Sequence, residues 1–176
     1  VIMIMALGNG VRGQINDELE SIGSGLIELY LDTTLESTTM RFSLDDFDLI
    51  MDKVDHVKGV TPIMGGWGTV DAPKGNFEAN ATAGNEGLQY SSSNGGAIIK
   101  GRYFTRAEAE GGNRVCVIPE SSAVSMFGTT DVVGLSFELT LYGISQELTI
   151  VGIREDNATS FVNGGSSLYV NIEMPQ

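Results

Sequence analysis

Apolar side chains recur at helical spacing near the start of the chain. Val11, Ile15, Leu19 and Ile22 fall on one side, with Gln14, Asp17, Glu18 and Ser21 elsewhere around the axis. This predicts an amphipathic helix stopped by Gly23 and Gly25, followed by a strand over Leu26–Leu31. A second helix is expected after Ser43, whose hydroxyl can cap it. Asp45 and Asp46 lie near its positive end, and Leu44, Phe47, Ile50, Met51 and Val54 supply its buried stripe. Gly59 should end that helix and Val60–Met64 should begin another strand, giving a β-α-β unit across Leu26–Met64.

From Gly65 to Gly96 the chain turns to glycine, asparagine, serine and alanine, so irregular short strands or mobile loops are expected there. Regular patterning then returns. Thr105 and Glu108 have the spacing of a capping box. Val115, Cys116, Val117 and Ile118 form the unbroken apolar run of a strand covered on both faces. Pro119 suits the first turn of a helix whose apolar side is Ala123, Val124, Met126 and Phe127 and whose end is Gly128. Leu135, Phe137, Leu139 and Leu141 alternate with Ser136, Glu138 and Thr140, as in a strand with one wet face. Gly143 lies in a hairpin turn leading to Gln146–Ile153, where Leu148, Ile150 and Val151 supply core residues. After a polar loop over Asp156–Ser167, Leu168, Val170 and Ile172 alternate with Tyr169 and Asn171 in a final strand.

Within Gly101–Leu139 a G-R-Y-F-T segment, the V-C-V-I strand, a helix ending M-F-G and a D-V-V-G turn follow one another. This order resembles the extracytoplasmic core domain of MacB-type ABC transporter permeases, related to FtsX-like permeases. The opening Ala6–Leu29 is similar to the family's exit from its first transmembrane helix, and the uniformly apolar Val1–Leu7 reads as the last turns of that helix. The resemblance implies an α+β fold with a mixed sheet. Residues 1–8 would end a truncated transmembrane helix, and 9–76 would form the N-terminal part of a β-α-β porter-like subdomain. Residues 77–160 would form an inserted, mostly β sabre-like subdomain with short helices, and 161–176 the return strand to the porter. The family pattern continues past a strand like SLYVNIEMP into another helix and strand, so part of the porter layer is expected to lie beyond this sequence.

The same resemblance implies a non-catalytic domain at the extracytoplasmic face of the cell membrane. It would relay ATP-driven motion for export or extraction of peptides, antibiotics or lipoproteins. Its implied partners are an ABC ATPase subunit or domain, a second permease copy and an extracytoplasmic partner protein; no cofactor is implied in this chain. An FtsX-like binding module that activates a cell-wall hydrolase is the alternative.

Composition narrows these readings. At 176 residues, 41% of them apolar, the chain suffices for one compact domain or two small subdomains. A formal charge of −13, with the acids dispersed, opposes binding to nucleic acid or anionic headgroups and describes a solvated surface. No run of eighteen apolar residues occurs, so the fragment is expected to be soluble although its parent is membrane-embedded. A G-x-x-x-x-G-K-S/T loop is also absent, which places ATP binding elsewhere.

Candidate chemistry is sparse, and no catalytic or metal-binding residue is assigned. The single Cys116 sits in an apolar run and reads as a buried thiol, and the single His56 without further His or Cys argues against zinc. Asp45, Asp46, Asp48 and Asp52 are better read as acids balancing a helix dipole than as a calcium site. Ser91, Ser92, Ser93, Ser121, Ser122, Ser166 and Ser167 lack a G-x-S-x-G setting. Asn80 and Asn157 begin glycosylation triplets, and Trp67 and Tyr90 flank the glycine-rich region as loop anchors or a ligand surface. One rival signal stands. Gly8, Gly10 and Gly13 spell G-x-G-x-x-G before a helix, with Asp32 ending the following strand, the layout of a dinucleotide-binding turn. A dinucleotide-binding enzyme using these four residues is the second alternative.

Overall fold

The computed structural model describes residues 27, 29, 42–91, 96–156 and 169–176. The expected helix Val11–Ile22, most of the strand Leu26–Leu31, the loop following Asp156 and the first residue of the final strand, Leu168, lie outside the described residues.

Helix α1 (Leu44–Lys53) starts as its sequence requires. The Ser43 hydroxyl accepts from the Asp46 amide and the Asp46 carboxylate accepts from the Ser43 amide, a full capping box. Its end differs from expectation: the chain is extended at Val54 and takes a left-handed turn at His56 (φ 67°), before Gly59 is reached. Its expected buried stripe is also only partly covered. Phe47 and Ile50 are half-buried while Met51 and Val54 are exposed, because the helices packed on the sheet are the two later ones.

Seven strands follow: β1 (Met64–Ala72), β2 (Gly75–Gly84), β3 (Ile98–Gly101), β4 (Val115–Pro119), β5 (Ser136–Leu141), β6 (Ile144–Arg154) and β7 (Tyr169–Pro175). A 3-10 turn at Glu86–Tyr90 and helices α2 (Arg106–Glu110) and α3 (Glu120–Phe127) complete the described elements. Strand β1 pairs antiparallel with β2 and β5, β2 parallel with β7, β7 antiparallel with β4, β4 parallel with β6, and β6 antiparallel with β5. The pairings therefore close on themselves in a ring of six strands, with β3 added alongside the far half of β6. Closure hides strand edges and gives the ring a packed interior. Val70, Ala79, Ala81, Cys116, Ile118, Leu139, Leu148, Ile150, Val170 and Ile172 form one buried cluster that α3 extends with Ala123 and Met126. The backbone amide of Lys74, in the β1–β2 turn, donates to the Met126 carbonyl, so α3 covers that end of the ring.

The largest departure from expectation is the stretch 65–84, where two long regular strands replace the expected irregular short strands or loops. Its alternation is carried by small residues: Val70 and Ala72 on β1, Phe77, Ala79 and Ala81 on β2. Small side chains are needed where neighbours approach closely. A Cβ on Gly68 would lie 2.1 Å from the Thr140 carbonyl oxygen of β5, and Gly66 sits under the ring of Tyr142. The expected β-α-β unit is likewise corrected. Residues 60–63 are not a strand; the strand begins at Met64, and its partners β2 and β5 are both antiparallel.

Elsewhere the local signals hold. Thr105 and Glu108 form the expected capping box, and Gly128 ends α3 in the left-handed conformation (φ 79°). Pro119 lies one position earlier than expected, as the N-cap, and Val124 points to solvent. Tyr142 and Gly143, both with positive φ, form the two-residue turn that suits a right-twisted hairpin.

Candidate functional site

The segment entering β1 and the end of β7 both lie at the end of the ring opposite α3. The entering segment, Gly59–Pro62, is clasped to the end of β2 and the 3-10 turn. Asn85 Nδ2 donates to the Val60 carbonyl (2.9 Å), the Asn85 amide donates to Thr61 Oγ1 (3.1 Å), and Thr61 Oγ1 donates to the Pro62 carbonyl (3.0 Å). Only glycine permits this approach. A Cβ on Gly84 would lie 2.6 Å from Thr61 Oγ1, and one on Gly87 would lie 2.8 Å from the Val60 carbonyl oxygen. The end of β7 meets the same point, where the Gln176 amide donates to the Gly84 carbonyl (3.2 Å).

A buried polar network fastens the returning strand β7. It pairs with β4 at one position only, Val117 opposite Glu173. There Glu173, 3% exposed, accepts from Arg154 Nη1 at 2.6 and 2.8 Å and from the Tyr103 hydroxyl at 2.6 Å. Arg154, 2% exposed, also donates to the Gly96 carbonyl through Nε (3.1 Å) and Nη2 (3.0 Å). On the other side of the seam, Ser122 Oγ accepts from the Asn171 amide (3.0 Å). Burial pushes the Glu173 carboxyl up, opposed by Arg154 and the Tyr103 hydrogen bond, and burial beside Glu173 pushes the Tyr103 phenol up, keeping it a neutral donor.

Helix α1 is held differently. Arg106 reaches both Asp48 oxygens at 3.1 Å and Glu110 at 2.7 Å, and all three side chains are exposed, so solvent screens these pairs and they add little stability. Between α1, the 3-10 turn and α2 lies a groove of about 300 Å³, lined by Phe47, Lys58, Glu86, Tyr90 and Arg106 among others. The end carrying the chain connections also shows apolar side chains to solvent: Ile63, Met64, Tyr142 (81% exposed) and Ile144 (72%). The Tyr142 hydroxyl donates to the Gly65 carbonyl (3.2 Å), which joins the hairpin tip to the start of β1.

The singled-out residues that are described are not brought together into one site. Gly8, Gly10, Gly13 and Asp32 lie outside the described residues. Asp46 caps α1, Asp48 pairs with Arg106, Asp52 pairs with Lys53, and His56 is exposed. Among the described residues no group of His, Cys, Asp and Glu could hold a metal ion. Cys116 is fully buried and burial pushes its thiol up. Asn80 sits on β2 between two paired neighbours, Tyr90 borders the groove, and Trp67 packs edge-on against Tyr169 with ring centroids 5.0 Å apart. Sequence reasoning missed Arg154 and Glu173. Their signal was a charge ending the apolar V-G-I run and another inside V-N-I-E-M-P, each at a position that a strand covered on both faces would bury.

The model of the MacB-like periplasmic core domain family matches residues 1–176. The chain belongs to that family. It is 30% identical over 141 residues to the macrolide export ATP-binding/permease protein MacB of Chlorobium luteolum, covering 76% of this chain and 21% of that protein. It is 28% identical over 141 residues to the MacB of Bdellovibrio bacteriovorus, with the same coverage. The chain thus spans 21% of the length of these curated relatives. Its fold is similar to the periplasmic region of MacB from Actinobacillus actinomycetemcomitans (TM-score 0.55, 20% identity, covering 77% of this chain and 55% of that one). It is also similar to the extracellular domain of the noncanonic ABC-type transporter YknZ from Gram-positive bacteria (TM-score 0.54, 19% identity, 76% and 62% coverage). The family resemblance read from Gly101–Leu139 is borne out, as is an α+β fold built mostly of strands.

Proposed function

We propose that this MacB-like periplasmic core domain is a non-catalytic relay at the extracytoplasmic face of a bacterial ABC transporter, moved by an ATPase subunit or domain elsewhere in the assembly. The observation that carries this reading is the meeting of the segment entering β1 and the end of β7 at Gly84. A unit tethered by two adjacent, tightly packed connections turns as one body when the segments beneath it move. The inserted subdomain then begins at the clasp near Gly59 and includes β1, with β7 as its return to the porter layer. The names of the curated relatives make macrolides the first substrate to test.

The experiment inserts two glycines between Pro62 and Ile63 in the full-length transporter reconstituted in vesicles, with circular dichroism of the 176-residue domain as the folding check. The loosened clasp should leave ATP hydrolysis intact while macrolide export falls. Export unchanged at full ATPase activity would remove the relay role. The FtsX-like reading, a module that docks and activates a partner, is favoured by the exposed Met64, Tyr142 and Ile144 at the same end. It expects Tyr142→Ser to abolish activation of a cell-wall hydrolase without altering export.

A further inference from the structure

Among the described residues the helices pack on β4, β6 and β7, and no described helix covers the outward face of β2, β1 and β5. Trp67, 60% exposed, stands on this face in edge contact with Tyr169. Thr69 and Asp71 continue the same side of β1, and the register sets Asp71 opposite Glu138 of β5 and Glu138 opposite Glu147 of β6. Glu78 of β2 lies opposite Thr69. Asp71, Glu78, Glu138 and Glu147 are all exposed, and none takes part in an ion pair of the described residues. Among the described residues of β1, β2, β5, β6 and β7 the only basic side chain is the buried Arg154. Like charges directly opposite one another on a sheet destabilise the free chain, so this face carries a cost that a complementary partner would relieve.

The geometry points to a docking surface for a basic polypeptide segment, its lysines and arginines set over the Asp71–Glu138–Glu147 row and an arginine or apolar side chain laid on Trp67. Aromatic faces attract cations, and a cationic segment gains from both halves of the surface. A second copy of this face is the wrong occupant: two rows of carboxylates would meet, on chains of charge −13 each. The acidic row repels nucleic acid and anionic lipid for the same reason. This surface is separate from the chain connections and stands whether or not the relay reading holds.

The test uses the 176-residue chain and a short fluorescein-labelled peptide of lysine, arginine and leucine, read by fluorescence anisotropy at low and high salt. Its glutamate-for-lysine counterpart serves as control. Glu138→Gln with Glu147→Gln should weaken binding by about tenfold or more. Asp131→Asn with Glu120→Gln, an equal charge change on exposed side chains of other elements, should not. Trp67→Ala should weaken binding without changing its salt dependence. The Glu138/Glu147 variant should also melt no lower than the parent, and up to about 2 °C higher, since it relieves repulsion in the free chain. Equal losses in the two double variants would reduce the effect to net charge and overturn the proposal. So would self-association at this face in sedimentation, or a calcium-induced rise in melting temperature abolished by the face variant.

Discussion

Glu173→Gln and Arg154→Met remove opposite halves of one buried pair, and their costs should depend on pH in different ways. In Glu173→Gln the guanidinium keeps the Gly96 carbonyl but loses its carboxylate while still excluded from water. Breaking such a pair costs about 3–5 kcal/mol, a large share of a typical total stability of about 5–15 kcal/mol. Arginine does not deprotonate, while the parent's Glu173, raised above its unfolded value, adds stability to the parent as pH falls through the folded value, so this loss should be no smaller at pH 5 than at pH 8. In Arg154→Met the orphaned group is a carboxyl, which burial already pushes up against the opposing guanidinium. With that opposition gone, its folded-state value rises further. A carboxyl whose folded value exceeds its unfolded one holds more protons folded than unfolded, so the penalty stands above the folded value and is relieved as pH falls through it. Arg154→Met should therefore lose about 3–5 kcal/mol at pH 8 and less at pH 5. Urea unfolding followed by circular dichroism measures both, each variant compared with the parent at the same pH so that other carboxylates cancel. A pH-independent loss in Arg154→Met, or a loss under about 1 kcal/mol in either variant, would refute the reasoning.

Other substitutions probe the ring and its caps. Gly68→Val should separate β1 from β5, because its Cβ collides with backbone rather than a movable side chain, and cost about 3 kcal/mol or more in a thermal melt. Thr105→Ala should cost about 1 kcal/mol by the same measurement. The Arg102 guanidinium and the Thr105 amide hold the Glu108 carboxyl at about 2, so the stability it contributes is complete above its unfolded value near 4.5 and lost as pH falls through 2. The gap between the parent and Glu108→Gln should narrow over that window in acid titrations. Cys116 should be silent to a thiol-reactive disulfide reagent in the folded chain and react fully in urea, and fast native-state labelling would contradict its burial.

What the sequence made legible were features written in a few adjacent residues. Thr105 and Glu108, the Val115–Ile118 run, Gly128 and the Tyr142–Gly143 turn each specify a local geometry that survives any packing. The β1–β2 hairpin was hidden because its alternation is written in alanine and glycine, whose strand propensity is low and whose role is to let β5 and Tyr142 come close. Ring closure and the Arg154–Glu173 pair depend on contacts between residues far apart in sequence, which no local pattern encodes. The joint at Gly84 was invisible for the same reason, since its glycine is explained only by Thr61 and Pro62 on a different segment.

The final strand has a consequence for biosynthesis. Glu78 and Tyr169, paired neighbours in β2 and β7, are separated by about ninety residues, so the parallel edge of β2 waits for its partner until synthesis has reached Tyr169 and beyond. Throughout that interval the nascent chain presents the unsatisfied amides and carbonyls along one edge of β2, a template for pairing with a neighbouring copy. Arrival of Glu173 ends the exposure by supplying a ladder partner and a counter-ion together. Release of β7 is thus the step that lets the ring close between β2 and β4.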